Sequence, residues 1–252
     1  MLKKSIHRIL PIFLLLFWFL IPLRLRGQES KTEVQRYVWF DNIIGQTNSG
    51  IFKGLDYVNE YRVVNDRHQF FISTDFKSGS VTYDDQTYFD VPLRYDVYLD
   101  DLLLLNDELS DKPIMLFDKR KVSEFNIGED SFEFISSRTS NEQISGFFEV
   151  LVRKEALTLY KKHTKKIFKR TDAQVLYYEF KNYAYYLLKV NEDYFIFNKA
   201  KELSRIFPGL RKELKIIDRK YSSLKKKSAD VHIKAVLADL YLLQAKMDKE
   251  SL

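Results

Sequence analysis

From Phe89 to Asp100 the chain alternates residue by residue. Phe89, Val91, Leu93, Tyr95, Val97 and Leu99 fall on one side, and Asp90, Pro92, Arg94, Asp96, Tyr98 and Asp100 on the other. Successive side chains of a strand point to opposite faces, so this pattern predicts a strand with one buried face and one wet face. Short aromatic and β-branched runs of the same kind recur from Val34 to Phe197, among them QRYVWF, YRVV, QFFIS, IMLF, SFEFI, GFFEVLV and NYAYYLLKV. Asp, Asn, Gly and Ser separate them. Many short strands at such spacing predict an antiparallel β-meander over residues 28–198, curled into a barrel-like or sandwich sheet. Asp84-Asp85 and Asp100-Asp101 suit turns, and Asn191-Glu192-Asp193 a hairpin. Pro92 cannot donate to a ladder and marks an edge, a bulge or a bend.

After Asn198 the period changes. Leu203, Phe207, Leu210, Leu214, Ile217, Tyr221 and Leu224 recur three and four residues apart, as on one stripe of a helix. Pro208 fits the start of a second helix, and Ser228 the N-cap of a last one with Asp230 in its first turn. Two or three helices are therefore expected over residues 199–252, and the fold class is α+β. No repeat of fixed period is present.

Lys3, Lys4 and Arg8 precede the apolar run Ile9–Leu23, which is shorter than a bilayer span and the length of a signal-peptide core. Residues 1–27 are expected to be a signal peptide cleaved before Gln28. Arg24 and Arg26 directly after the run favour the alternative, an uncleaved anchor over residues 9–23. Without the leader the chain has 36 Lys and Arg against 35 Asp and Glu, so its basic character belongs mostly to the leader. Nucleic-acid binding loses its main support. The rest is segregated, with 23 acidic and 12 basic residues over 28–150 and 12 acidic and 24 basic over 151–252. With no cysteine, disulfides, thiolate metal sites, a cysteine nucleophile and lipidation of the lipoprotein type are excluded.

Little catalytic chemistry is legible. His68, His163 and His232 lack paired metal-ligand spacing, and no phosphate loop, dinucleotide fingerprint or nucleophile elbow occurs. Lys77-Ser78-Gly79 and Ser222–Lys225 imitate penicillin-site motifs in the wrong order. Asp84, Asp85, Asp100 and Asp101 lack the glycine-containing loop that calcium favours. No metal, cofactor or catalytic residue is assigned. The candidate binding residues are Arg94, Asp96, Tyr98 and Asp100, on the expected wet face of the ladder, and Asp101 in the turn that follows it. Tyr83, Tyr88, Tyr95 and Tyr98, or Tyr183, Tyr185 and Tyr186, are candidates for an aromatic groove that takes a sugar or a lipid. The basic stretch Lys161–Arg170, read as a strand end and loop, is a candidate contact for an anion or a lipid headgroup.

The run SGSVTYDDQTYFDVPLRYDVYLDDLLLL, with GFFEVLV and YYLLKVNEDYFIFNKAKELSRIFPGLRKELK, resembles a group of uncharacterised exported β-rich proteins of Bacteroidota over most of residues 70–220. The shared features are a strand ladder with a Tyr-Asp turn and a closing helix carrying Leu203, Phe207, Pro208 and Leu214. This resemblance implies a Gram-negative envelope, the periplasm or the outer membrane, and no particular activity. The expectation is an exported, non-catalytic binding or scaffold protein whose partner is an envelope protein, a glycan or a lipid surface. The alternatives are a cell-envelope hydrolase using aspartates of residues 84–101 and a membrane-tethered protein.

Overall fold

The computed structural model describes residues 51, 54–106, 111–138 and 143–250, with side chains to residue 246. The leader, the alternative anchor at 9–23 and the run at 35–40 lie outside the described residues. Eleven strands form one sheet among them: β1 (Leu55–Asp56), β2 (Lys77–Tyr83), β3 (Gln86–Asp96), β4 (Asp101–Leu105), β5 (Ile114–Leu116), β6 (Val122–Ile127), β7 (Asp130–Arg138), β8 (Gln143–Lys154), β9 (Leu157–Asp172), β10 (Val175–Val190) and β11 (Asp193–Phe197). Their order is β1-β5-β4-β3-β2-β6-β7-β8-β9-β10-β11. Every neighbouring pair is antiparallel. Two meanders, β2 to β5 and β6 to β11, thus run in opposite directions from a shared β2–β6 seam. The sheet is open, with β1 and β11 as its edges.

The hairpins follow local chemistry. Asp84 and Asp85 both have positive φ, as a two-residue turn matching strand twist requires. Opposite Gly79–Val81, strand β3 carries one extra residue, and Asp90 absorbs it at φ 55°. The bulge shifts the alternation by one. Tyr88 and Val91 are buried, while Phe89, expected in the core, is only half-buried. Gly79 is needed beside this bulge because a Cβ there would run into the carbonyl of Asn126. Pro92 sits where pairing with β4 has not yet begun. The strand ends at Asp96, so Leu99, also expected in the core, lies in a turn and is exposed.

The sheet bends over its aromatic face. The ring of Tyr95 on β3 lies 5.9 Å from that of Phe147 on β8. Those strands are four ladder steps apart, about 19 Å in a flat sheet. Phe125 and Phe132 fill the space between, stacked at 4.7 Å. Asp100 and Lys162 meet across the bend. Lys162 Nζ donates to Asp100 Oδ1 at 2.6 Å and to the Phe147 carbonyl at 2.9 Å. Tyr95 Oη donates to the same carboxylate at 2.6 Å. Gly146, at φ 124°, leaves room for this group, since a Cβ would collide with Asp100 Oδ2.

Residues 57–72 form a strap, not the two strands predicted from YRVV and QFFIS. Phe70 makes one isolated bridge to Asp96, and Phe71 N donates to the Tyr95 carbonyl at 2.8 Å. Further back, Tyr178 N and Phe180 N of β10 donate to the carbonyls of Arg62 and Arg67. The segment shares its hydrogen bonds between distant strands instead of building a ladder with one.

Three helices follow β11: α1 (Leu203–Ile206), α2 (Arg211–Lys220) and α3 (Ala229–Glu250). Pro208 opens a single 3-10 turn leading into α2, and Val231 N approaches Ser228 Oγ at 3.5 Å at the start of α3. Leu203, Leu210, Leu214, Ile233, Val236, Leu237 and Leu240 pack on Leu157, Leu159, Tyr186, Leu188 and Phe197 of β9 to β11. Asp230 clamps α3 to the sheet, accepting from Lys161 Nζ at 2.7 Å and Tyr186 Oη at 2.6 Å. No described helix is long and apolar enough to cross a membrane.

Removing one partner of a buried, hydrogen-bonded ion pair leaves the other charge uncompensated. Lys162→Met and Asp100→Asn are each expected to lower unfolding free energy by about 3 kcal/mol. The double variant should lose clearly less than the sum, in a denaturant-melt double-mutant cycle.

Candidate functional site

The five candidate residues converge on the β3–β4 turn, where most of their polar atoms meet protein partners. Asp96 is fully buried. Its Oδ1 accepts from Tyr98 N and Leu99 N, both at 3.0 Å, and its Oδ2 from Tyr57 Oη at 2.9 Å. Burial pushes its carboxyl up, and these hydrogen bonds offset the shift in part. Asp96 therefore shapes the turn from inside the fold, not from a wet face. Asp100 is held by Tyr95 and Lys162, and Asp101 pairs with Lys119 at 2.8 Å. Arg94 is sandwiched between Phe70 and Phe76, 4.0 and 4.2 Å from their ring centres, and donates to the Thr74 carbonyl at 2.7 Å. Tyr98 belongs to an aromatic cluster with Tyr61 and Phe180, at 5.5 and 5.2 Å. Tyr185 and Tyr186 lie on β10 away from any open groove, packed under β8 and α3 respectively.

A cleft of about 450 Å³ opens beside this turn, between the strap and β9. Its walls include His68, Phe70, Ile72, His163, Lys165 and Tyr183. Lys161, His163 and Lys165 are two residues apart, so one face of β9 presents three basic side chains. Two have acidic partners. Lys161 pairs with Asp230, and His163 Nε2 lies 2.6 Å from Glu149 Oε2. Lys165 differs. Its ammonium donates to the backbone carbonyls of His68 and Phe70 at 2.6 and 2.7 Å. Among the described residues no carboxylate lies within ion-pair distance of it. An ammonium carries three donors, so two carbonyls leave one hydrogen and the whole charge for a further acceptor.

Ile72 forms the outer lip. It has φ 52° and is 73% exposed. A β-branched residue in the left-handed region is strained, and an exposed one has no burial to offset the strain. Neither Lys165 nor Ile72 was singled out by the sequence. The signal for Lys165 was only its place in a basic run, and a backbone angle leaves no trace in composition.

Among the described residues no three His, Asp or Glu side chains are grouped to hold a metal ion. What the cleft offers is a cation with no carboxylate in ion-pair contact among the described residues, flanked by aromatic and aliphatic walls. That arrangement suits an anionic group attached to an apolar or planar body. Comparison with known proteins finds no family model, curated protein or solved structure that matches the chain.

Burial pushes the Lys165 ammonium down to about 8, with the Asp96 carboxylate opposing the shift. Below that value the lysine is charged in both folded and unfolded chains, and its buried charge destabilises the fold in full. Above it the folded group loses its proton while the unfolded chain keeps one up to about 10.4. The stability of the wild type relative to Lys165→Met is therefore expected to rise between about pH 7.5 and about pH 10. Paired denaturant melts check this, and a flat difference would contradict it.

Proposed function

We propose that the protein is an exported, non-catalytic binding protein of the cell envelope that holds an acidic group of an envelope partner in the cleft between the strap and β9. The observation that carries this reading is Lys165, a half-buried ammonium with backbone acceptors but no carboxylate partner among the described residues, under the exposed and strained lip of Ile72. The leader at residues 1–27 and the resemblance to exported Bacteroidota proteins support the location. The bent sheet is read as a barrel-like wall whose seam is filled by the strap. Asp96, Asp100 and Asp101, the residues a hydrolase would need, are each tied to protein donors, which favours binding over catalysis.

Two variants test the reading. Relaxing a left-handed β-branched residue to glycine stabilises by about 1 kcal/mol, so Ile72→Gly should raise the unfolding midpoint. Capture of a defined partner band from envelope fractions should nevertheless fall with Ile72→Gly, and fall further with Lys165→Gln. Equal capture by all three proteins would rule out the cleft as the binding site. N-terminal sequencing of the exported protein should begin at Gln28, and a start at Met1 would replace cleavage by an anchor.

A further inference from the structure

Strands β9 and β10 run far beyond their neighbours. Pairing with β8 ends at Lys161 and pairing with β11 at Tyr186. From there a two-stranded hairpin continues for eleven residue pairs, about 35 Å. Its turn is Ala173–Gln174, both at positive φ. The strap lies along part of one edge, and the end remains open. There Val175 and Leu176 are 41% and 48% exposed, with Phe168, at 38%, four residue pairs or about 13 Å further back.

The surrounding charges are mostly basic. Lys166, Lys169 and Lys181 are exposed and without carboxylate partners among the described residues. Lys166 and Lys181 both lie over the ring of Tyr183, at 4.9 and 5.7 Å. The acidic residues of this stretch are Asp172 and Glu179. Glu179 is already held by Arg67 and Arg170, which leaves Asp172, in the tip pair, as this stretch's own opposing carboxylate, with Asp66 of the strap lining the cleft beside Tyr183.

We propose that this hairpin end docks on an anionic lipid surface, with Val175 and Leu176 entering the headgroup region and the lysines lying against the lipid charges. Consecutive residues of a strand point to opposite faces, so Val175 and Leu176 present apolar side chains in both directions. A shaped protein groove would read one face of a hairpin. A fluid interface accommodates both, and an apolar tip behind a basic collar is the chemistry it selects. The proposal does not depend on the cleft being occupied.

The absence of cysteine makes the test direct. Leu176→Cys in the full chain, labelled with an environment-sensitive fluorophore, reports on the tip alone, and Val175→Cys does so with Leu176 intact. Glu192→Cys, at the turn between β10 and β11, is the control. Vesicles with one third phosphatidylglycerol should shift both tip labels to the blue and expose them to lipid-borne quenchers, leaving the control label in water. Phosphatidylcholine vesicles should not. At about 1 kcal/mol for a lysine near the surface, Lys169→Gln, three residue pairs behind the tip, should require about 5-fold more lipid for the same shift, and Lys166→Gln or Lys181→Gln, six pairs back, less. A chain held only through residues 9–23 would leave the tip labels in water and overturn the proposal. So would equal insertion into both kinds of vesicle, an unchanged lipid requirement in Lys169→Gln, or a shift produced by envelope proteins and not by lipid.

Discussion

Lys162 and Asp100 hold together two parts of the sheet that its hydrogen-bond ladder leaves far apart. The ladder alone defines a ribbon of eleven strands with no reason to bend in one place. The ion pair fixes where β9 meets the β3–β4 turn, and the bend brings Tyr95, Phe125, Phe132 and Phe147 into one core. The strap depends on that meeting. Its carbonyls at His68 and Phe70 bind Lys165, three residues along the strand from Lys162, and its bridge at Phe70 reaches Asp96 at the end of β3. Cleft, strap and turn thus meet around one cross-sheet contact.

The same arrangement explains the use of charge. Lysines at 161, 162 and 165 look alike in sequence but do three different things. One clamps a helix through Asp230, one ties the bend through Asp100, and one lies under backbone carbonyls with no carboxylate in contact among the described residues. Structural partners account for the first two. The third is where a binding reading gains its footing, because a cation that the fold does not neutralise is available to something else.

Much of the fold was legible in residues whose conformation is decided locally. The Asp84-Asp85 turn, the 3-10 turn opened by Pro208 and the N-cap at Ser228 are of this kind, as is the change of period after Asn198. What depends on distant partners was not legible. The pairing of β2 with β6 joins strands that are not consecutive, and no local pattern announces it. Residues 61–73 have strand composition, but their hydrogen bonds go to several elements. The length of β9 was hidden because its basic residues, which resemble a loop, sit in a ladder with β10. Asp96 lies inside because Tyr57, thirty-nine residues away, supplies a donor, and Ile72 is conspicuous only once its backbone is seen.

The strap also bears on how the protein avoids its own kind. A long strand with an open edge offers unpaired backbone groups to any other extended chain, and β10 extends far past β11. By donating to the Arg62 and Arg67 carbonyls, Tyr178 and Phe180 place part of that edge against a segment of the same molecule. The strap is irregular and held by scattered backbone and side-chain bonds, not by a continuous ladder, so it caps part of the edge without presenting a regular strand of its own. It thereby guards against growth of the sheet from one molecule into the next.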